Sequence, residues 1–220
     1  MSATEELRAQ CAEDWQAATN HAFTDALVAG TLDQPRMAGY LQQDFLFIEG
    51  FVRLLASAIA HGPSLADVVP AAQFLGLISG PENTYFLRSF EALDVPSQAA
   101  ETAPETRAFQ AIMDEARTSG RYECMLAVLV VAEWTYLDWA SPHAARADDL
   151  PFWFGEWITL HSGPGFEGVV QYLRAQLDAA WPGLDADQQA RATDLFTRAV
   201  GLERAFFDAA WRGFPVAQKS

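Results

Sequence analysis

Three acidic residues interrupt apolar stretches of the sequence and are the first candidates for chemistry. Glu133 is the only charged residue in the fourteen residues from Cys124 to Leu137. Asp44 interrupts the stretch YLQQDFLFIEGF, and Glu203 interrupts LFTRAVGLERAFF. Burying a carboxylate in such surroundings costs on the order of several kcal/mol unless it is paired or neutralised. Because the three acids lie in different predicted helices, we expect them to form one polar site inside a helical core.

Each of these acids shares its helical face with apolar and aromatic residues, since positions i, i+3, i+4 and i+7 lie on one side of a helix. These companions include Tyr40, Phe47, Ile48 and Phe51 around Asp44, Leu129 and Tyr136 around Glu133, and Val200 and Phe207 around Glu203. Aromatic rings beside a buried carboxylate suit a flat nitrogenous ligand, because the rings stack on it and the carboxylate accepts its N–H groups. Burial also raises the pKa of a carboxyl, as a general acid or base near neutral pH requires.

A purely structural explanation of the same residues stays open. Each acid could pair with a buried arginine, cap a helix or face solvent, and the aromatic residues could be ordinary core. Only 14 basic residues are present and few lie on apolar faces, so pairing explains all three acids less readily. Glu82 follows Gly80-Pro81 at the start of a predicted helix. It is a further candidate pocket residue, or an acid favoured there by the helix dipole.

The sequence lacks the common metal-binding and nucleophile patterns. A carboxylate-bridged di-iron bundle needs Glu-x-x-His pairs, and no Glu is followed by His three residues later. The four histidines are scattered, and for His21 a partly buried structural role is favoured over haem ligation. Cys124 has no basic neighbour that would make it a thiolate, which indicates a core residue. We therefore expect neither a metal nor another cofactor.

Composition limits the possible partners and location. The chain of 220 residues is 50% hydrophobic and has a net charge of −15, from 29 acidic and 14 basic residues. Such a surface repels nucleic acid and anionic lipid. The two cysteines form no CxxC pair, no signal peptide is visible at the N-terminus, and the longest apolar run is judged too short to span a bilayer. These features predict a cytoplasmic protein.

Glycine, proline and capping residues divide the chain into predicted helices, and no segment shows the sustained alternation of a strand. The helices are placed at about 5–29, 34–61, 64–78, 82–93, 104–118, 121–140, 151–160, 165–180 and 185–213. The longest loops are expected at 96–103 and 141–149, with Gly163-Pro164-Gly165 as another break. Because no repeat or linker is visible, the sequence predicts one all-α domain, 1–220, of roughly eight or nine helices.

Several segments together resemble the TenA (thiaminase II) family. HAFTDALVAGTLDQPRMAGYLQQDFLF, from His21 to Phe47, is similar to the N-terminal signature of that family. Trp157-Ile158 and GLERAFFDAAW, from Gly201 to Trp211, continue the resemblance over nearly the whole chain. It implies a fold similar to haem oxygenase, assembled as a homotetramer or dimer. It also implies a pocket for a small aminopyrimidine, while the acidic charge predicts no nucleic acid or membrane partner.

The resemblance implies a reaction and site residues as well. The reaction is hydrolysis at the exocyclic methylene of 4-amino-5-aminomethyl-2-methylpyrimidine or its formylated form, in the salvage of thiamin breakdown products. Asp44 would bind the amino and ring nitrogens of the pyrimidine, and Glu203 would take part in proton transfer. The expected site is completed by Glu133, Phe47, Tyr136, Phe109, Glu82 and His161.

The sequence departs from the family where many members carry a nucleophilic cysteine. That position falls on Ala132, and Glu133 with Tyr136 resembles the branch that lacks the thiol. Tyrosines of the thiol-bearing branch fall on Phe47, Phe109 and His161, which can stack but lack a phenolic hydroxyl. Direct attack by water, with Glu133 or Glu203 as base, is then favoured over a covalent step, and cleavage of thiamin itself is less favoured. A non-catalytic heterocycle-binding protein and a regulatory TenA-like protein are the alternatives.

Overall fold

The computed structural model describes residues 1–99 and 101–219, which form eleven α-helices and no β-strand. The helices are α1 Ala3–Gln10, α2 Ala12–Thr19, α3 Ala22–Val28, α4 Gln34–His61, α5 Leu65–Leu77, α6 Asn83–Ala92, α7 Pro104–Thr118, α8 Tyr122–Ala140, α9 Phe152–Leu160, α10 Gly163–Ala180 and α11 Ala186–Arg212. The predicted all-α class is confirmed. The bounds of α4, α7, α8 and α11 lie within one residue of those predicted.

The single helix predicted over 5–29 is wrong, because this segment forms α1, α2 and α3. The backbone leaves the helical conformation at Cys11 and again at Asn20 and His21. At His21 the Nδ1 atom accepts a hydrogen bond from the N–H of Phe23 at 3.0 Å, and so caps α3. The Nε2 atom of His21 lies 3.3 Å from Oδ1 of Asp208. Both ring nitrogens are engaged within the protein, which argues against His21 as a haem ligand.

Two α-helices are separated at Gly80-Pro81 as predicted, but the segment between them is helical and not an irregular break. A π-helical turn, Ile78–Glu82, carries the chain from α5 into α6 without leaving helical geometry. Pro81 has no N–H to donate to the preceding turn, so the regular α-helical ladder cannot run through it. π-helical turns are frequent at functional sites. Here the turn carries Glu82.

Two other predicted breaks are helical. Gly163-Pro164-Gly165 forms the first turn of α10, where proline is tolerated because its missing N–H would have no intrahelical partner. The segment predicted as a polar loop forms a 3₁₀ helix, Ser141–Asp149. The loop predicted over 96–103 is non-helical at its described residues, and residue 100 lies outside the described part of the chain.

Helix α8 lies at the centre of the molecule and packs against α4, α10 and α11. Its residues from Glu123 to Tyr136 are all buried, as expected of a helix that is apolar all round. Together with the 3₁₀ helix that follows, it is long and apolar enough to cross a membrane, contrary to the length judged from the sequence. Yet 83% of its apolar window is buried within the protein, which is the position of a core helix.

Gln43 fixes the segment between α6 and α7 against α4. Its Nε2 donates to the carbonyl of Glu101 at 2.8 Å, and its Oε1 accepts from the N–H of Ala103 at 2.9 Å and the hydroxyl of Thr106 at 2.7 Å. The side chain is fully buried. The two neighbouring residues of the YLQQD stretch therefore have different roles. Gln43 stabilises the fold, and Asp44 lines the interior cavity.

Candidate functional site

A cavity lies where α4, α8, α9 and the π-helical turn meet. Its lining residues are Asp44, Phe47, Ile48, Phe51, Phe74, Ile78, Glu82, Ala132, Glu133, Tyr136, Trp157 and His161. Six of the eight predicted site residues are among them, and the two others are Glu203 and Phe109. Its volume, as the space open to the centre of a water molecule, is about 20 Å³. This is close to the minimum for one water, so a ring-sized ligand requires the lining side chains to move apart.

Acidic side chains dominate the polar part of this cavity. Asp44 and Glu133 are 4% and 8% exposed, and Glu82 is partly exposed. Among the described residues, none of these acids has a Lys, Arg or His within salt-bridge distance. The structural explanation by buried arginine pairs is therefore not supported.

Burial without a basic partner raises the pKa of each of these acids. For Asp44, loss of hydration is the larger cause and the charge of Glu82 adds to it. For Glu133, burial comes first, followed by the charges of Glu82, Glu203 and Asp44. Burial raises the pKa of Glu82 from 4.5 to about 8. Carboxyls whose charges act on one another titrate as a group, so the cluster can hold protons near neutral pH.

Glu203 belongs to this acidic cluster but does not line the cavity. It lies on α11, is 2% exposed, and has its pKa raised by burial and then by the charge of Asp44. Helix α11 packs on both α4 and α8, which carry the other acids. The structure thus brings together the acids of three helices that the sequence predicted to meet.

The aromatic wall has two layers. Phe47 lines the cavity, and Phe109 packs edge-on against it with ring centroids 5.0 Å apart. Phe109 is buried in the core and is absent from the cavity surface. The sequence predicted that Phe109 contacts a ligand directly. In the structure Phe109 instead contacts Phe47, whose ring it holds in place.

Tyr136 and His161 form the opposite polar edge. The hydroxyl of Tyr136 lies 2.7 Å from that of Tyr40, which is fully buried. Nδ1 of His161 lies 2.9 Å from the carbonyl oxygen of Trp157. A carbonyl can only accept, so Nδ1 carries the proton and Nε2 keeps a free lone pair. Burial lowers the pKa of His161 to about 4, so the ring is neutral at physiological pH.

Asp44 supplies the most specific indication of a ligand. Its Oδ2 atom is buried and has no hydrogen-bond partner among the described residues. A buried polar atom is normally paired, and leaving one unpaired costs about 1–3 kcal/mol. A ligand N–H or ring nitrogen at this atom would remove that cost.

Sequence reasoning missed several lining residues. Trp157 contributed to the family resemblance without a role, and it stacks on Tyr85 at 5.1 Å while lining the cavity. Ile48 and Phe51 were placed on the helical face of Asp44 by their spacing but were not included in the expected site. Phe74 and Ile78 carried no such signal, because only the packing of α5 and the π-helical turn places them there.

Among the described residues, no group of three or more His, Cys, Asp or Glu side chains is arranged to hold a metal ion. The acids meet at one cavity without the geometry of a coordination sphere. The carboxyls of the cavity can transfer protons and form hydrogen bonds.

The helices of the described residues define an all-α protein of the haem oxygenase-like fold, with an acid-lined cavity between α4, α8, α9 and the π-helical turn. Comparison with known proteins gives the family. The model described as the TENA/THI-4/PQQC family matches residues 8–213, and the chain belongs to this family.

Individual relatives are distant but similar over most of their length. The aminopyrimidine aminohydrolase of Halalkalibacterium halodurans is 25% identical over 202 residues, covering 90% of each chain. The aminopyrimidine aminohydrolase of Bacillus subtilis is 22% identical, covering 96% of this chain and 91% of the relative.

Solved structures are similar in fold. A TenA family transcription regulator from Silicibacter sp. TM1040 superposes with a TM-score of 0.82 and 25% identity, covering 94% of this chain and 95% of that one. A TenA homologue from P. horikoshii OT3 gives a TM-score of 0.84 at 22% identity, covering 97% of this chain and all of that one.

Proposed function

We propose that this protein is an aminopyrimidine hydrolase of thiamin salvage that acts on 4-amino-5-aminomethyl-2-methylpyrimidine or its formylated form. The observation that carries the proposal is the buried cavity in which Asp44, Glu82 and Glu133 lie beside aromatic rings without a basic partner. The names of the relatives in H. halodurans and B. subtilis support the same class of reaction.

Asp44 matches the edge of an aminopyrimidine. Burial raises the pKa of Asp44, and in its protonated form the carboxyl offers one O–H donor and one carbonyl acceptor. An aminopyrimidine presents an amino donor beside a ring-nitrogen acceptor, so the two groups can form a pair of parallel hydrogen bonds. Phe47, Tyr136 and Trp157 supply the aromatic surfaces for its ring.

The hydrolysis proceeds without a thiol nucleophile. Ala132 lines the cavity at the position where related enzymes carry cysteine, and it offers only a methyl group. Water attacks the methylene carbon, the C–N bond breaks, and its electron pair leaves with the nitrogen. Glu133, on the cavity wall, takes a proton from the water. Glu203 does not line the cavity. We assign it as the source of the proton that the leaving amine receives by way of the other acids.

Ammonia release from the aminomethyl pyrimidine tests this function. Glu133→Gln should lower kcat by about 100-fold or more, the usual contribution of a general base. Glu123→Gln is the matched control, since Glu123 is buried on the same helix and does not line the cavity. The proposal fails if neither the aminomethyl compound nor its formylated form is hydrolysed while Glu133→Gln binds them as tightly as the parent.

Ala132 also motivates a second candidate, a protein that binds a small heterocycle without converting it. This candidate predicts that the aminomethyl pyrimidine raises the melting temperature, yet no ammonia appears even after long incubation. The hydrolase predicts both the thermal shift and turnover, so one sample measured in both ways separates the two functions.

A further inference from the structure

A second and larger depression adjoins the acid-lined cavity. We call it the outer groove, and define it by Phe74, Leu77, Pro81, Glu82, Phe166 and Val169, with Gly165 on its α10 side. Phe74 and Glu82 also line the acid-lined cavity, so the two spaces share a wall. Phe74 and Glu82 therefore stand between a molecule bound in the cavity and the groove.

The outer groove differs from the cavity in size and chemistry. Its volume is about 230 Å³, against about 20 Å³ for the cavity by the same measure. Most of its lining is apolar, and Leu77 is 54% exposed there. None of the described residues lining either space is Lys or Arg, which disfavours a phosphate group. An apolar chain would instead cover side chains that water now contacts.

We propose that the outer groove is a substrate subsite for an apolar acyl chain on the exocyclic nitrogen of the aminopyrimidine, so that N-acyl compounds longer than the formyl derivative are bound and hydrolysed. This rests on the proposed function, because the pyrimidine must occupy the cavity with its substituent directed toward Glu82. The amide then lies at the shared wall, and the hydrocarbon chain lies along Leu77, Phe166 and Val169.

The added step is amide hydrolysis. The oxygen of water bonds to the acyl carbon, the amide C–N bond breaks, and the nitrogen takes the electron pair and a proton. The products are a carboxylic acid and the aminomethyl pyrimidine, which remains available for the ammonia-releasing step. Glu82 is the carboxyl placed at the amide, where it can accept the proton of water and return it to the nitrogen.

Two glycines of α10 provide a matched pair of variants. A Cβ atom added at Gly165 or at Gly168 would meet no atom within 4 Å, so leucine has room at either position. Gly165 lines the outer groove, whereas Gly168, less than one turn later on the same helix, does not. Gly165→Leu should therefore fill the groove, and Gly168→Leu should leave it open.

The test measures carboxylic acid release from the N-formyl, N-acetyl, N-butyryl and N-hexanoyl aminopyrimidines. In the parent and in Gly168→Leu, each methylene should raise kcat/KM about threefold to fourfold, the value of burying one CH₂ group. Gly165→Leu should lower kcat/KM for the hexanoyl compound about tenfold or more and leave the formyl compound nearly unchanged.

Ammonia release from the unsubstituted aminomethyl compound is measured separately and reports on the proposed function. If ammonia is released but acid release is absent, flat or falling along the acyl series, the subsite is overturned and the function stands. An equal loss in Gly165→Leu and Gly168→Leu would also overturn the subsite. If no ammonia is released, the proposed function fails, while acid release that follows chain length and is lost only in Gly165→Leu still supports the subsite.

Discussion

At the residue scale, the interior carboxyls define what the site can do. Asp44, Glu82 and Glu133 line one cavity. Glu203 does not line it, but its charge raises the pKa of Glu133. No described basic side chain neutralises them, so burial and mutual repulsion keep protons on the cluster. Such acids donate and accept within the same pH range, which suits both recognition of an aminopyrimidine and proton transfer to it.

Substitutions of Asp44 test the recognition. Asp44→Ala should weaken binding of the aminomethyl pyrimidine by about 1–3 kcal/mol, the cost of leaving its buried donor and acceptor without a hydrogen-bond partner. Asp44→Asn keeps one donor and one acceptor and should lose less. Titration calorimetry measures both. An Asp44→Ala protein that binds as tightly as the parent would remove Asp44 from the pyrimidine site.

The raised pKa values make stability depend on pH. Burial raises the pKa of Glu82 from 4.5 to about 8, and the pKa of Glu133 is raised as well. The folded state then binds more protons than the unfolded state between these values, so the free energy of unfolding falls as pH rises from about 5 to 8. Each acid contributes at most about 1.4 kcal/mol per pH unit.

Glu133→Gln should make this pH dependence shallower and leave the protein more stable than the parent at pH 8. Urea unfolding at a series of pH values measures the slope. Glu167→Gln, an exposed change on α10, is the control and should follow the parent curve. Parallel curves for the parent and Glu133→Gln would contradict the assigned burial of this carboxyl.

At the element scale, two local features position the site. Helix α4 carries Asp44 inward while Gln43 ties the start of α7 to the same helix turn. The π-helical turn Ile78–Glu82 connects α5 to α6. It places Glu82 at the wall shared by the cavity and the outer groove. These elements explain how neighbouring residues in sequence take on separate structural and chemical tasks.

Gln43→Ala tests the structural task. Removing this side chain leaves the buried N–H of Ala103 and the hydroxyl of Thr106 without their partner, which should cost about 1–3 kcal/mol of unfolding free energy. Gln98→Ala, in the same connecting segment but exposed, should cost little. Chemical denaturation compares them. Unchanged stability in Gln43→Ala, with a large loss of substrate affinity, would assign Gln43 to the site instead.

At the scale of the whole molecule, the net charge of −15 disfavours a regulator that contacts DNA directly. One solved structure of similar fold is that of a TenA family transcription regulator. An acidic surface loses the phosphate contacts that supply most non-specific DNA affinity. A single domain over 1–220, a tetramer or dimer, and a cytoplasmic location stay predictions.

We expect no shift of duplex DNA in a gel at low salt, where electrostatic attraction is strongest. The measurement uses the purified protein with and without the aminomethyl pyrimidine. A basic DNA-binding protein loaded beside it confirms that binding is detectable. A specific shift that depends on the pyrimidine would favour the regulatory alternative.

Local signals in the sequence determined much of the fold. Proline at the first turn of α4 and α7, and the Pro182-Gly183 pair before α11, predicted these helices closely. The first helix was predicted too long, because the cap formed by His21 depends on a histidine side chain that is rarely read as a cap. The acids Asp44, Glu133 and Glu203 were found because charge on an apolar helical face is visible from spacing alone.

The tertiary structure alone decided how these residues share the site. It placed Glu203 and Phe109 off the cavity wall, and it brought Phe74 and Glu82 from the end of α5 and the π-helical turn to the boundary with the outer groove. Helical periodicity states which face of a helix is buried. No local pattern encodes which residues of distant helices come into contact, because that depends on long-range packing. The site is formed by such contacts.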